Sequence, residues 1–187
     1  MSAPEAIASG VRLARVELEV REWIAFDEPS LRRYASGAGI ELAAPQRLHV
    51  AADCVTLSIR PARWLLLRAG GTTGAADSPV PSAVGACVEL SSSLAAFLLS
   101  GPGAREVLAR GCRLDLDTRV FPAGSAAATL MAQVAVTLGA LAGGFLLLTP
   151  ASTARHFEEW LTATARPFGV RAAGTLTFQE LSGDRSL

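Results

Sequence analysis

One apolar pattern occurs twice in the chain, and this repetition limits the folds that the chain can adopt. Residues 55–67 read VTLSIRPARWLLL and residues 136–148 read VTLGALAGGFLLL, so VTL, six residues, an aromatic residue and LLL recur 81 positions apart. Two apolar runs of strand length around a Gly- or Pro-containing turn predict a β-hairpin. A weaker match relates ARVEL at 14–18 to ACVEL at 86–90. The sequence therefore predicts two similar β-rich units.

A transmembrane helix is the alternative interpretation of the second copy. No charged residue lies between Arg119 and Arg155, and GALAG places Gly139 and Gly143 in a GxxxG spacing. This length suits a bilayer span, and the spacing suits helix dimerisation within it. The first copy of the pattern, however, carries arginines in its turn, which exclude a span there. We therefore expect a hairpin, with a small dimeric membrane protein as the weakest alternative.

Hydrophobic periodicity predicts an α+β fold of two ferredoxin-like β-α-β-β units. The first unit, with the order β-α-β-β, covers residues 1–69 and is followed by a Gly- and Pro-rich linker at 70–83. The second unit, with the order β-α-β-β-α-β, covers residues 84–180, and a tail follows at 181–187. The predicted strands lie near 11–21, 46–59, 63–69, 126–138, 144–149 and 170–178, and residues 84–100 are predicted to form one strand or a bent strand pair. The predicted helices lie near 29–36, 102–110 and 151–166.

The ends of the predicted helices are assigned from Gly, Ser and Thr. Glycine after the last periodic residue often adopts the left-handed conformation that closes a helix, which assigns this role to Gly37 and Gly111. A hydroxyl at the N-cap can accept a hydrogen bond from a backbone N–H of the first turn. Ser152 or Thr153 is therefore predicted to be the N-cap of the third helix.

Composition excludes several functions. Seventeen basic and seventeen acidic residues cancel, and no lysine is present, so a nucleic-acid-binding domain, a P-loop lysine and a lysine Schiff base are not expected. Half of the residues are hydrophobic and the mean hydropathy is +0.35, which favours a large apolar interface or a membrane segment. Three scattered cysteines and a start without a basic, apolar leader predict a reducing, cytoplasmic location.

The segment SGPGAR at 100–105 is the first candidate site, because glycine-rich turns can hold phosphate groups. The Lys and Ser or Thr of a P-loop are missing, and Glu106 stands at the third glycine of a dinucleotide fingerprint. A carboxylate in the first helical turn would repel a phosphate. The segment is therefore predicted to be a structural turn in which Pro102 begins a helix, with Arg105 and Arg110 on the helix surface.

The three cysteines are predicted to be structural. Cys112 follows the C-terminal end of a predicted helix, where the helix dipole raises a thiol pKa and opposes a nucleophilic role. Cys54 and Cys87 lie in predicted strands, where we expect them to be buried.

The histidines do not form a metal site in the sequence. His49 and Asp53 share one face of an extended segment while Cys54 faces the other side, so they do not make a three-ligand set. His156 lies on a predicted helix and is expected at the surface or at an interface.

An acid–base pair is the last candidate. Asp115 and Asp117 share one face of a short extended segment, and without a nearby partner they are predicted to serve a solvated turn. The sequence therefore predicts no catalytic, cofactor-binding or metal-binding residue, and we expect the chain to act within a larger assembly.

Residues 99–124, LSGPGAREVLARGCRLDLDTRVFPAG, carry a family pattern. They resemble the γ subunit of heterotetrameric sarcosine oxidase, whose pattern LSGPxAxxxLxxGCxLDLxxxxFxxG is matched here at each specified position. The resemblance extends over about 54–170 and leaves the N-terminal third of the chain unmatched.

The resemblance implies a fold similar to part of the folate-binding aminomethyltransferases and assembly with α, β and δ chains. In such complexes the β chain holds the amine site and flavin (FAD or FMN). The α chain binds a dinucleotide and carries a tetrahydrofolate-binding domain, and the δ chain binds zinc. The complex oxidises the N-methyl group of sarcosine, passes electrons to oxygen and can transfer the one-carbon unit to tetrahydrofolate. This chain is expected to bind no cofactor and to contact chiefly the α chain's folate-type domain.

Two departures from the family pattern leave the substrate open. Residues 125–128 replace an expected Gln, and residues 88–92 lack an expected His, so a related secondary amine is an alternative substrate. The alternative function is a stand-alone folate or one-carbon-binding protein of the aminomethyltransferase type, with Glu89 or Asp115 holding the pterin. Residues that could contact partners, with solvated surface as an equal alternative, are Arg105, Arg113 and Arg119.

Overall fold

The computed structural model describes residues 10–71 and 79–178. The predicted tail at 181–187 and half of the predicted linker, 72–78, lie outside these residues. Within them the chain forms strands and helices of the α+β class that the sequence predicts. The elements are β1 (Val11–Val16), β2 (Glu19–Ala25), α1 (Glu28–Gly37), β3 (Arg47–Val50), β4 (Val55–Arg60), β5 (Arg63–Arg68), β6 (Gly85–Glu89), β7 (Leu94–Ser100), α2 (Ala104–Ala109), β8 (Ala126–Met131), β9 (Val134–Ala140), β10 (Gly144–Pro150), α3 (Ala154–Ala165) and β11 (Val170–Leu176).

The strands form two sheets. The six-stranded sheet has the order β11-β1-β7-β10-β9-β8, and the five-stranded sheet has the order β3-β4-β5-β2-β6. Neighbouring strands are antiparallel except β1 and β11, which run parallel. The first and last described strands therefore lie side by side at one edge of the larger sheet.

The sequence repeat corresponds to a structural repeat. The two copies of the VTL…LLL pattern form the β4–β5 and β9–β10 hairpins, which confirms the hairpin prediction. The order β3-β4-β5-β2 in one sheet also matches β8-β9-β10-β7 in the other.

Gly139 of the GxxxG spacing lies where β9 approaches the other sheet, since the Cδ1 atom of Leu48 would lie 2.7 Å from a β-carbon there. None of the described helices combines the length and apolar character that a bilayer crossing requires.

The first strand of each repeat lies in the sheet of the other repeat. β1 pairs with β7 in the six-stranded sheet, and β6 pairs with β2 in the five-stranded sheet. The strand predicted near 11–21 is therefore two strands, because the chain crosses between the sheets at Glu17 and Leu18. The sheets do not follow the predicted division into 1–69 and 84–180, whereas 84–100 is the bent strand pair that the sequence indicated.

Apolar side chains hold four layers together in the order helix, sheet, sheet, helix. Leu57 and Leu146 belong to the core between the two sheets. Leu31 of α1 packs with Trp64 on the outer face of the five-stranded sheet, and Phe157 of α3 packs on the outer face of the other sheet. Burial of such side chains contributes about 1.5–3 kcal/mol each.

Two predicted strands are each divided by a turn. The region near 46–59 is β3 and β4 around a turn at 51–54, and the region near 126–138 is β8 and β9 around Ala132 and Gln133. These two residues have φ angles of 49° and 65°, as in a two-residue hairpin turn. Asn and Gly usually mark such turns, so the Ala-Gln pair carries no recognisable turn signal.

The helix ends differ from the predictions in detail. Gly37 is the last residue of α1, and Gly39, with φ 74°, adopts the left-handed conformation instead. Gly111 follows α2 without a positive φ, and the ring of Trp160 occupies the space that its β-carbon would fill. Thr153 is the N-cap of α3, but its hydroxyl donates to the carbonyl oxygen three residues earlier rather than capping the helix.

Candidate functional site

The SGPGAR segment is packed against the protein's own chain. Gly101 has a φ of 100°, and a β-carbon there would overlap the carbonyl oxygen of Gly10. The guanidinium of Arg105 lies 4.9 Å from the ring centroid of Phe145 and donates to the carbonyl oxygen of Phe121 at 3.3 Å. These contacts hold the six-residue α2 against the sheet, which supports the structural interpretation of the segment and not a phosphate cradle.

The cysteines lie in three different environments. Cys112 forms a β-bridge with Met131, so it joins the end of α2 to the edge of the six-stranded sheet. Cys54 is buried, and burial raises the pKa of its thiol to about 12, with the nearby charge of Asp53 acting in the same direction. Cys87 is exposed, contrary to the expectation of burial, because β6 is an edge strand.

The histidines are placed apart from each other. The Nε2 atom of His49 lies 3.5 Å from a carboxylate oxygen of Glu41, and His156 is exposed on α3. In the described parts of the chain, no three His, Cys, Asp or Glu side chains are grouped as a metal site would require.

Asp115 and Asp117 organise the loop after α2. The Oδ1 atom of Asp115 accepts a hydrogen bond from the N–H of Asp117, and Oδ1 of Asp117 accepts one from the N–H of Arg119, both at 2.9 Å. Such bonds from a side chain to the backbone two residues later form turns. The side chain of Arg119 also donates to Asp117 and holds the pKa of that carboxyl below its usual range. The turn interpretation of this pair is confirmed.

Glu89 is held at the point where the chain crosses from β6 to β7. Its carboxylate accepts hydrogen bonds from the backbone N–H and the hydroxyl of Ser91, and from Nε of Arg21 at 3.2 Å. These bonds, those from Ser91 foremost, lower the pKa of Glu89. The Ser91 hydroxyl oxygen accepts the N–H of Val20 at 2.8 Å, so Glu89 and Ser91 join the two crossings between the sheets.

A cleft that the sequence does not indicate lies where the two sheets meet. The N–H of Ala126, at the start of β8, donates to the carbonyl oxygen of Gln46 beside β3. This pairing stops at Gln46, whose φ of 58° turns the chain away from β8 and whose N–H donates to the carbonyl oxygen of Ser58 in β4. The loop at 114–122 forms the opposite wall, and the open cleft between them has a volume of about 470 Å³. We call this space the junction cleft.

The junction cleft combines polar and apolar groups. Nη1 of Arg47 lies 3.4 Å from the Ser125 hydroxyl, and Arg47 has no carboxylate partner among residues 10–71 and 79–178. Val120 contributes an aliphatic side chain that is 61% exposed, while Asp115 and Arg119 are engaged in the loop turn. This set suits binding of a chain segment with mixed character better than acid–base chemistry. Sequence reasoning missed the cleft because residues 45–47 and 114–127, which line it, are far apart in the chain.

Comparisons with known proteins identify a matching family and solved structures of similar fold. The sarcosine oxidase, gamma subunit family model matches residues 24–166, whereas a search of curated protein sequences found no match. The heterotetrameric sarcosine oxidase from Corynebacterium sp. U-96, solved in complex with pyrrole 2-carboxylate, aligns with a TM-score of 0.71 and 22% identity over 86% of each chain. Glycine cleavage system aminomethyltransferase T from Bartonella henselae aligns with a TM-score of 0.59 and 15% identity over 87% of this chain and 47% of that one.

At these identities the structural likeness shows the fold, and it agrees with the aminomethyltransferase-like fold that the sequence resemblance implies. The family match covers most of the chain, including strands of both sheets and the helices α1, α2 and α3. The chain therefore belongs to the sarcosine oxidase gamma subunit family.

Proposed function

We propose that the chain is a non-catalytic, structural subunit of a cytoplasmic, multi-subunit, flavin-dependent amine oxidase or dehydrogenase. The match to the gamma subunit family over residues 24–166 carries this proposal. The complex oxidises sarcosine or a related secondary amine and transfers the one-carbon unit to tetrahydrofolate. Flavin, dinucleotide, tetrahydrofolate and zinc are held by the other subunits.

The contacts of the candidate residues support a structural role. The carboxylates of Glu89 and Asp115 accept hydrogen bonds from the backbone of this chain, and Arg105 covers the ring of Phe145. These contacts tie the candidate side chains to the fold of this chain, which suits a structural role.

The proposed partners are the α, β and δ subunits, chiefly the folate-type domain of α. The similar structure from Corynebacterium is described as heterotetrameric. Half of the residues of this chain are hydrophobic, which suits a subunit that buries surface against other chains.

Co-expression with the α, β and δ chains of the same genome tests this function. We expect one copy of this chain in a complex that oxidises sarcosine or a related secondary amine, measured by light scattering after gel filtration and by amine-dependent oxygen or dye reduction. In the complex, Glu89→Gln and Cys112→Ala are expected to keep kcat/KM within about twofold of the wild-type value. A loss of kcat in either variant with intact assembly would contradict a non-catalytic role, and an equally active and stable complex without this chain would contradict a structural one.

A stand-alone folate or one-carbon-binding protein is the second candidate, and the likeness to aminomethyltransferase T favours it. Titration calorimetry of the isolated chain with tetrahydrofolate separates the two proposals. Saturable binding that Glu89→Gln or Asp115→Asn abolishes would favour the second candidate. No heat at millimolar ligand would reject it.

A further inference from the structure

We propose that the junction cleft receives an extended segment of a partner subunit, which pairs with β8 as an additional strand. This inference rests on the proposed function, because the partner is another subunit of the same complex. β8 is the edge strand of the six-stranded sheet and pairs with β9 on its other side.

Part of the outer edge of β8 lacks a backbone neighbour within the part of the chain that the structure describes. The N–H of Ala126 points away from β9, since it donates to Gln46. Alternate residues of a strand direct their backbone groups to the same side, so Ala128 and Leu130 direct theirs to the cleft side as well. Beyond them the N–H of Ala132 donates to the carbonyl oxygen of Gly111 at 3.4 Å. Cys112 also forms a β-bridge with Met131 at this end of β8. Among residues 10–71 and 79–178, the outward backbone groups of Ala128 and the N–H of Leu130 are therefore left without a backbone neighbour and are open for pairing.

The backbone of an extended chain is the chemical complement of this stretch. Unpaired groups on alternate residues repeat every ~6.8 Å, which matches the spacing of another strand. Val120 lines the cleft and is 61% exposed, and Leu130, further along β8, is 52% exposed, so both offer contacts for apolar side chains. Arg47 lies at the rim, where we expect the partner segment to place a carboxylate.

The other described edges are protected against such pairing. Bulges, charges and short strands are the usual means of protection. In β11, Gly174 has a φ of 69° near a shift in register, and β6 ends at the Glu89–Arg21 ion pair. The N–H of Leu48 in β3 donates to the carbonyl oxygen of Gly124. β8, by contrast, has no charged residue.

Hydrogen exchange in the isolated chain and in the assembled complex tests the proposal. We expect the amides of Ala128 and Leu130, the two within 127–131 that point away from β9, to exchange at least about tenfold more slowly in the complex, as newly formed backbone hydrogen bonds require. Ala128→Pro removes the outward N–H without removing a bond to β9, and is expected to weaken assembly about tenfold. The control Ala128→Val keeps this N–H and is expected to assemble within about twofold of wild type, with circular dichroism used to check that both variants fold.

Each outcome decides the proposal. A complex in which 127–131 exchange as fast as in the isolated chain would overturn it while the proposed function stands. Failure of the wild-type chain to join any complex would overturn the proposed function and this inference together. If the isolated chain dimerises and that alone protects 127–131, the occupant is a second copy and the proposal is wrong. If Ala128→Pro does not fold, the exchange measurement on the wild-type complex decides.

Discussion

Gly111 lacks a side chain to make room for a packed aromatic ring, and not to allow a left-handed backbone conformation. The Trp160 ring occupies the place of the missing β-carbon and stacks on Phe157 with ring centroids 5.9 Å apart. A glycine after a helix is usually assigned to the helix end, and the sequence offers no sign that a residue of a later helix packs there.

Gly111→Ala is expected to destabilise the fold by about 2 kcal/mol, because a methyl group at this position forces the Trp160 ring to move. Gly37→Ala is the matched control, since Gly37 also lies at a helix end but a methyl group there would meet no other atom within 4 Å. Its effect is expected to stay within about 0.5 kcal/mol. Urea unfolding measures both free energies, and equal values would contradict the packing role of Gly111.

Glu89 is expected to make the free energy of unfolding depend on pH in the acidic range. Its pKa lies below the ordinary 4.5 because the ionised carboxylate accepts the bonds from Ser91 and Arg21. The ionised form is therefore favoured by folding, so the contribution is complete above about pH 4.5 and is lost as the pH falls through the lower pKa of the folded state. Ser91→Ala is expected to raise the pKa of Glu89 toward 4.5, as followed by NMR titration. The control Ser92→Ala is expected to leave it unchanged, and the same pKa in both variants would refute this assignment.

At the scale of elements, the turns of the hairpins differ in how clearly the sequence indicates them. The β9–β10 turn contains Gly143 and was recognised from the sequence. The β8–β9 turn uses Ala132 and Gln133 in the left-handed region, where residues with a β-carbon are strained. A turn of this type is decided by the pairing of its two strands, because its own residues do not favour it.

Replacement of this turn by Ala132→Asn with Gln133→Gly is expected to stabilise the protein by about 1 kcal/mol. Asn and Gly adopt the two left-handed conformations with less strain, and the melting temperature should rise by a few degrees. Ala135→Gly, in extended backbone of β9, is the control and is expected to lower stability. A lower melting temperature for the double variant would contradict the turn assignment.

At the scale of the molecule, the exchange of first strands ties the two repeats together. β1 is required by the six-stranded sheet and β6 by the five-stranded sheet. The crossings meet where the Ser91 oxygen accepts the N–H of Val20. Each repeat on its own therefore lacks a strand and exposes an unpaired edge.

Two fragments, 1–71 and 79–187, are expected to be largely unfolded alone and to regain the native circular dichroism spectrum when co-refolded. Each fragment then supplies the strand that completes the other's sheet. The control is the intact chain carrying a protease site within 72–78, which is expected to stay associated on gel filtration after cleavage. Independent cooperative unfolding of either fragment would show that the exchange does not couple the repeats.

The sequence by itself determined the local elements: the two VTL…LLL hairpins, the α+β class, the three helices and the family pattern at 99–124. These depend on residue periodicity and turn chemistry, which act over a few neighbours. Only the tertiary structure decided that β1 and β6 change sheets, that Trp160 fills the space beside Gly111 and that part of the β8 edge has no backbone neighbour among the described residues. Such features depend on contacts between residues far apart in the chain, since a strand's pattern shows which face is buried but not which partner buries it.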